Sequence, residues 1–344
     1  MASTSDSSPK RISEWKALIA DQVDGLHSLQ IRDMSDSSLP AGDVTVRVAY
    51  SGLNYKDGLA LTGRNKVIRS YPMVPGIDFS GVVENSDLDL WKPNDHVILT
   101  GWGVGEQHWG GYAQKARVSA GWLIRLPKGL SLLHAMSLGT AGLTAMMCVS
   151  ALEESGVTPD RGPVLVTGAS GGVGSLSVAI LSSLGFQVTA CTGRPELEAF
   201  LKGLGAAQVI GREAVAIPPG RPLAKEQWAG AIDVAGGPLL ASVLSAMKYG
   251  GTVAVCGLAA DSSLNTTVLP LILRGVSIRG VDSVQCPAPL RTRLWDRIVE
   301  HVTPETLSTL TEVISLMELS DAADRILSGK VRGRIVVDVN RELD

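Results

Sequence analysis

Residues 163–185, PVLVTGASGGVGSLSVAILSSLG, constrain this chain more than any other stretch. An apolar run of strand length passes through Gly168, Gly171 and Gly174 into a helix pattern that itself ends on glycine. A turn this tight needs residues that tolerate a positive φ, which glycine does without steric cost. Bare backbone can also approach a pyrophosphate, and the start of the helix offers free N–H groups and the positive end of its dipole. A GxxGxxG motif alone is weak evidence. Here further strand–helix units follow: QVTACTG, then PELEAFLKGLG with Pro195 in its first turn and Gly205 after its end, then the strands AQVIG, GAIDVAG, GGTVAVCGLA and SIRGVDSV. This alternation predicts a parallel sheet covered on both faces, with a dinucleotide at the glycine turn. A turn serving only close helix–strand packing is the alternative.

The second strand chooses between the two nicotinamide dinucleotides. Sites for NAD usually carry a carboxylate there to hold the ribose 2′-hydroxyl. This strand ends instead on Thr192, Gly193 and Arg194. A hydroxyl and a guanidinium suit a 2′-phosphate, so NADPH is expected. Glu196, two residues on, is placed to pair with Arg194 instead.

Before this unit the texture differs. From about residue 15, DVTVRVAYSGLN, DFSGVVENS and DHVILTGWG read as short strands punctuated by Gly, Pro, Asn and Asp, a β-rich, barrel-like module. LLHAMSLGTAGLTAMMCVSALEESG is a helix pattern leading into the parallel sheet. Residues 286–344 hold two helix patterns and a final strand, GRIVVDV, expected to rejoin the first module. The expected organisation is a tail over 1–14, a catalytic domain over 15–136 and 286–344, and a cofactor domain over 137–285.

Composition removes other classes. With 45% hydrophobic and 19% charged residues the chain can build a large core, and the formal charge of −3 argues against a nucleic-acid protein. No uninterrupted apolar run reaches the ~18 residues of a membrane span. The four cysteines form no CxxC pair and read as reduced thiols in the cytoplasm. The N-terminus lacks the apolar core of a secretory signal; an organelle transit signal is the alternative to a solvated tail.

A nicotinamide enzyme must manage the charge that follows hydride transfer. Alcohol dehydrogenases often use zinc. None of the five histidines, His27, His96, His108, His134 and His301, has a cysteine or second histidine at ligand spacing, so no metal is expected. A metal-free reductase then needs an acceptor activated for conjugate addition and a donor for the resulting enolate. Asn54, Tyr55 and Asp57, between a strand and a helical stretch, are the catalytic candidates. Tyr55 brings a hydroxyl donor. The bland reading is that Tyr55 packs and Asp57 caps the helix. Arg64, Lys66 and Arg69 form a basic cluster, either a solvated face or a clamp for a phosphorylated acceptor.

Together these stretches resemble the medium-chain dehydrogenase/reductase superfamily, its zinc-free quinone-oxidoreductase-like branch, and within it the acryloyl-CoA reductase family of AcuI/YhdH type. The segments NKVIRSYPMVPGIDF and GWGVGEQHWGG carry the branch-specific likeness, which spans about residues 16–340. The resemblance implies an α/β chain with a GroES-like β-barrel catalytic domain and a Rossmann doubly wound sheet, with the active site between them. It implies NADPH-dependent reduction of acryloyl-CoA to propanoyl-CoA, with a quinone or small-enone reductase as the alternative, and a homodimer paired through SIRGVDSV. It implies cofactor contacts at Tyr55, Thr144, Ser170, Gly171, Gly172, Val173, Thr192, Gly193, Arg194, Leu258 and Ser283.

Overall fold

The structure, a computed structural model, describes residues 14–217 and 222–341. Nearly all of the expected tail lies outside the described residues. The chain opens with β1 (Glu14–Val23) and β2 (Leu26–Ser35), an antiparallel hairpin turned by Asp24 and Gly25, both at positive φ. Asp-Gly suits such a two-residue turn because its twist matches that of the strands. There follow β3 (Val44–Leu53), α1 (Tyr55–Leu61), β4 (Asp78–Ser86), β5 (His96–Thr100), β6 (Lys115–Val118) and β7 (Ile124–Arg125). The long helix α2 (Leu132–Glu154) leads into β8 (Val164–Val166), α3 (Gly172–Ser183), β9 (Val188–Cys191), α4 (Glu198–Gly203), β10 (Gln208–Ile210), β11 (Trp228–Asp233), α5 (Gly237–Ser245), β12 (Met247–Val255), α6 (Leu269–Arg274) and β13 (Ser277–Gly280). The last part holds α7 (Ala288–His301), α8 (Pro304–Leu310), β14 (Thr311–Ser315), α9 (Leu319–Leu327) and β15 (Arg334–Asp338).

Two sheets carry the site. One is parallel throughout in the order β10-β9-β8-β11-β12-β13, which is the Rossmann order. The other runs β14-β15-β3-β4-β5-β7, with β6 also on β3. The final strand does join it: β15 pairs antiparallel with β3, Ile335 opposite Leu53.

The last part of the chain departs from expectation. It holds three helices and an extra strand, β14, parallel to β15. Leu294, Trp295 and Ile298 of α7 and Leu307 and Leu310 of α8 pack into the core around α2 and α3. Ile314, Leu316, Ala322 and Val337 pack into the barrel core. Within this part the packing partners change near residue 310.

Helix α2 is apolar enough by length and composition to cross a membrane, yet 83% of its apolar window is buried inside the fold. It is two helices joined at Gly139, whose φ of 51° and ψ of −150° are not helical. A side chain there would also meet Asp78, 2.8 Å from the position of its Cβ.

Candidate active site

The glycine turn lies between β8 and α3, where the order of the parallel sheet reverses and ligands of such sheets sit. Gly168 takes a φ of 56°. A Cβ on Gly174 would lie 2.3 Å from the Gly168 carbonyl oxygen, so only glycine lets the helix start this close to the strand. Gly171 is the N-cap of α3 and offers no side-chain cap. The first-turn N–H groups at Gly172 and Val173 are therefore left to an anion. Asp233 holds the turn from below: its carboxylate accepts from Thr167 Oγ1 and from the Gly236 amide, each at 2.7 Å.

At the tip of β9, Thr192 is buried with its hydroxyl 3.1 Å from that of Ser170. Arg194 Nη2 donates to Ser170 Oγ and to the Val331 carbonyl, both at 2.8 Å, and makes no ion pair with Glu196. A second arginine completes the pocket. Arg212 follows β10, and its guanidinium carbon lies 2.9 Å from where a Cβ on Gly193 would be. Sequence reasoning missed it, although the ends of neighbouring parallel strands face the same edge and the residues just after β10 therefore come within reach. Burial lowers the pKa of Arg194; the nearby Glu196 charge opposes that shift, and the Arg212 cation adds to it. Two guanidinium groups, a hydroxyl and no carboxylate at the strand tip fit a dinucleotide with a 2′-phosphate.

Between the two halves lies a buried polar network. Asn54, the N-cap of α1, donates through Nδ2 to Asp57 at 3.1 Å and to Asp78 at 3.0 Å, and accepts from Arg334 Nη1 at 3.1 Å. Asp78 also accepts from the amides of Gly52 and Thr140, each at 2.8 Å. Arg334 reaches the carbonyls of Ser137 at 3.1 Å and Met136 at 3.3 Å. The break at Gly139 thus has a purpose: backbone groups freed from the α2 ladder are taken up by Asp78 and Arg334. A Cβ on Gly172 would lie 3.2 Å from the Arg334 side chain, so the network reaches the start of α3.

Asp57 lies at the centre of this network. It has no exposed surface and accepts from the amides of Asn54 and Ile77 at 2.9 Å. Burial, reinforced by the charge on Asp78, pushes its pKa up to about 7. With Asn54 it forms the capping box at the start of α1. Asn54, also buried, belongs to the same scaffold.

Tyr55, by contrast, is 39% exposed at the first position of α1. Thr144 on α2 lies 2.7 Å from the Thr140 carbonyl and 2.9 Å from Ser283 Oγ. Its hydroxyl carries one proton, so Ser283 donates to Thr144 when Thr144 donates to Thr140. Leu258, after β12, is exposed. Arg64, Lys66 and Arg69 are exposed in the loop after α1, none in an ion pair among the described residues. Their neighbour Lys56 pairs with Glu106 at 3.0 Å, and the Arg69 amide donates to the Glu106 carbonyl at 2.9 Å, which ties this loop to the one after β5. No group of three or more His, Cys, Asp or Glu side chains able to hold a metal occurs among the described residues.

Comparison with known proteins agrees with this architecture. The alcohol dehydrogenase GroES-like domain matches residues 40–128, and the zinc-binding dehydrogenase domain matches residues 172–301. The chain is 50% identical to the acrylyl-CoA reductase AcuI of Ruegeria pomeroyi over 95% of this chain and 99% of that one. The crystal structure of the Salmonella enterica yhdH oxidoreductase in complex with NADP superposes with a TM-score of 0.92 at 50% identity, covering 94% of this chain and 100% of the other. That of Bacillus subtilis yhfP with NAD bound gives 0.91 at 43% identity, over 95% and 100%. With its Rossmann strand order, its GroES-like half and half of its residues shared with AcuI over nearly the full length, the chain belongs to the AcuI/YhdH family of medium-chain dehydrogenases/reductases.

Proposed function

We propose that this chain reduces acryloyl-CoA to propanoyl-CoA with NADPH. The observation that carries the reading is the Arg194–Arg212 pair at the tip of β9, in a chain 50% identical to an acrylyl-CoA reductase. The glycine turn receives the diphosphate of the cofactor, and Thr192 with the two arginines receives its 2′-phosphate. Bound NADPH supplies the hydride that adds to the β-carbon of the alkene. Tyr55, half-exposed beside the network, hydrogen-bonds the thioester oxygen as enolate charge develops there. A proton from Tyr55 or an ordered water then completes the α-carbon. The buried Asn54–Asp57–Asp78–Arg334 set holds α1 and the break in α2 at fixed distance from the diphosphate turn. Thr144 and Ser283 line the nicotinamide end, and Leu258 flanks it.

Arg64, Lys66 and Arg69 meet the phosphates of coenzyme A in this reading. Replacing Arg64 and Lys66 together by Ala is then expected to raise KM for acryloyl-CoA by about 10-fold, the worth of one or two charge-assisted contacts; an unchanged KM removes them from the site. The protein acts as a soluble homodimer, its second copy covering β13. NADPH absorbance followed with acryloyl-CoA, crotonyl-CoA and a quinone in parallel tests the activity. Acryloyl-CoA is expected to give the highest kcat/KM. A quinone that turns over faster would move the site to the quinone-reductase reading.

A further inference from the structure

Arg291 on α7 has no exposed surface, and none of the ion pairs among the described residues includes it. A buried cation without a counter-ion costs several kcal/mol. Here five oxygen acceptors take the place of the carboxylate. Arg291 Nη1 donates to the Thr100 carbonyl at 2.6 Å and to Thr100 Oγ1 at 2.7 Å. Its Nη2 donates to the carbonyls of Ser283 at 3.1 Å, Val284 at 3.2 Å and Cys286 at 3.1 Å. The Trp102 ring lies 5.0 Å below the guanidinium.

The acceptors come from both halves of the molecule. Thr100 ends β5 of the barrel sheet, whereas Ser283, Val284 and Cys286 follow β13 of the parallel sheet. The two segments also touch directly. The Trp102 amide donates to the Val284 carbonyl at 3.2 Å, and a Cβ on Gly101 would lie 2.8 Å from that same oxygen. Ser283 in turn is the partner of Thr144. One planar fork therefore fastens the barrel to the cofactor sheet beside the nicotinamide end, away from the arginines that grip the 2′-phosphate.

We propose that Arg291 is a positioning residue of the reductase. By pinning residues 283–286 to the end of β5 it sets the separation between hydride donor and acceptor, and it touches neither. This rests on the reductase reading above. A fixed near-attack geometry is worth a great deal, since a displacement of about 1 Å can cost on the order of 100-fold in rate. Lysine cannot rebuild the fork, because a single ammonium has no planar set of five donors.

The test uses the full chain with Arg291→Lys, Arg291→Met and the milder Thr100→Val, which removes one acceptor hydroxyl at nearly constant volume. Circular dichroism checks folding, NADPH fluorescence gives Kd, and turnover with NADPH deuterated at the transferred position gives the isotope effect on kcat. The expected pattern is an NADPH Kd within about 2-fold of wild type and a kcat lowered by about 10- to 100-fold in the Arg291 variants, least in Thr100→Val. The isotope effect should rise as hydride transfer becomes limiting. Folded variants with wild-type kcat and isotope effect would overturn the role. So would a loss of NADPH affinity in proportion to kcat, which a merely structural arginine would give. If both Arg291 variants fail to fold, Thr100→Val decides by the same readouts. Wild-type protein that does not oxidise NADPH with acryloyl-CoA would instead bring down the functional reading, and this inference with it.

Discussion

Arg194 and Arg212 both lie beside Gly193, where burial and the Arg212 cation weigh against the charge of Arg194 and Glu196 only partly offsets them. A 2′-phosphate relieves that repulsion, and a 2′-hydroxyl cannot. Arg194→Ala and Arg212→Ala are each expected to raise KM for NADPH by about 10- to 100-fold, as loss of a charge-assisted contact does. KM for NADH should hardly move, so initial rates with both dinucleotides check the claim. Asp57 gives a pH signature. Its pKa is raised in the folded state, so the native protein holds a proton that the unfolded chain has lost between the ordinary aspartate range and about pH 7. Stability from this group is present at low pH and lost as pH rises through that window. Asp57→Asn cannot titrate. The stability difference between wild type and variant should therefore shift against wild type by on the order of 2–4 kcal/mol from pH 4.5 to 8, read from denaturant midpoints. Thr192 and Arg194 could be singled out in the sequence because they follow the glycine turn at a set interval. The Asn54–Asp78 and Asn54–Arg334 contacts span 24 and 280 residues, so no local pattern announces them.

The strand–turn–helix unit of β8 and α3 works only because its backbones nearly touch. Gly174→Ala would place a methyl 2.3 Å from the Gly168 oxygen. It is expected to destabilise the protein by about 1–3 kcal/mol, as overpacking does, and to weaken NADPH binding together with stability. Thermal melts with and without NADPH measure both. Elements such as this one were plain in the sequence, since glycine punctuation and apolar runs of strand length coincide there. β14 was not. TLTEVISLMEL continues the texture of the preceding helix with no glycine or proline at the switch, and its strand identity comes from lying alongside β15. The side taken by α7 and α8 was equally hidden, because an amphipathic helix declares that it has a buried face and not which core receives it.

At the scale of the whole molecule, β13 ends the parallel sheet with its residues exposed, and Ile278, Ile272 and Leu273 are 38%, 68% and 57% exposed around it. A bare apolar edge invites pairing. The proposed second copy predicts a dimer mass for wild type and a monomer for Ile278→Lys in analytical ultracentrifugation. The pairing of β15 with β3 carries a different consequence, for synthesis. The flank of β3 that Ile335 will occupy is made some 280 residues before its partner, as the separation of the Asn54–Arg334 contact measures. At 5–20 residues per second the ribosome leaves that flank open for roughly 15 to 60 s. During that interval the nascent barrel is a half-built wall, and a chaperone that shields extended backbone would find its binding site there until the last strand emerges.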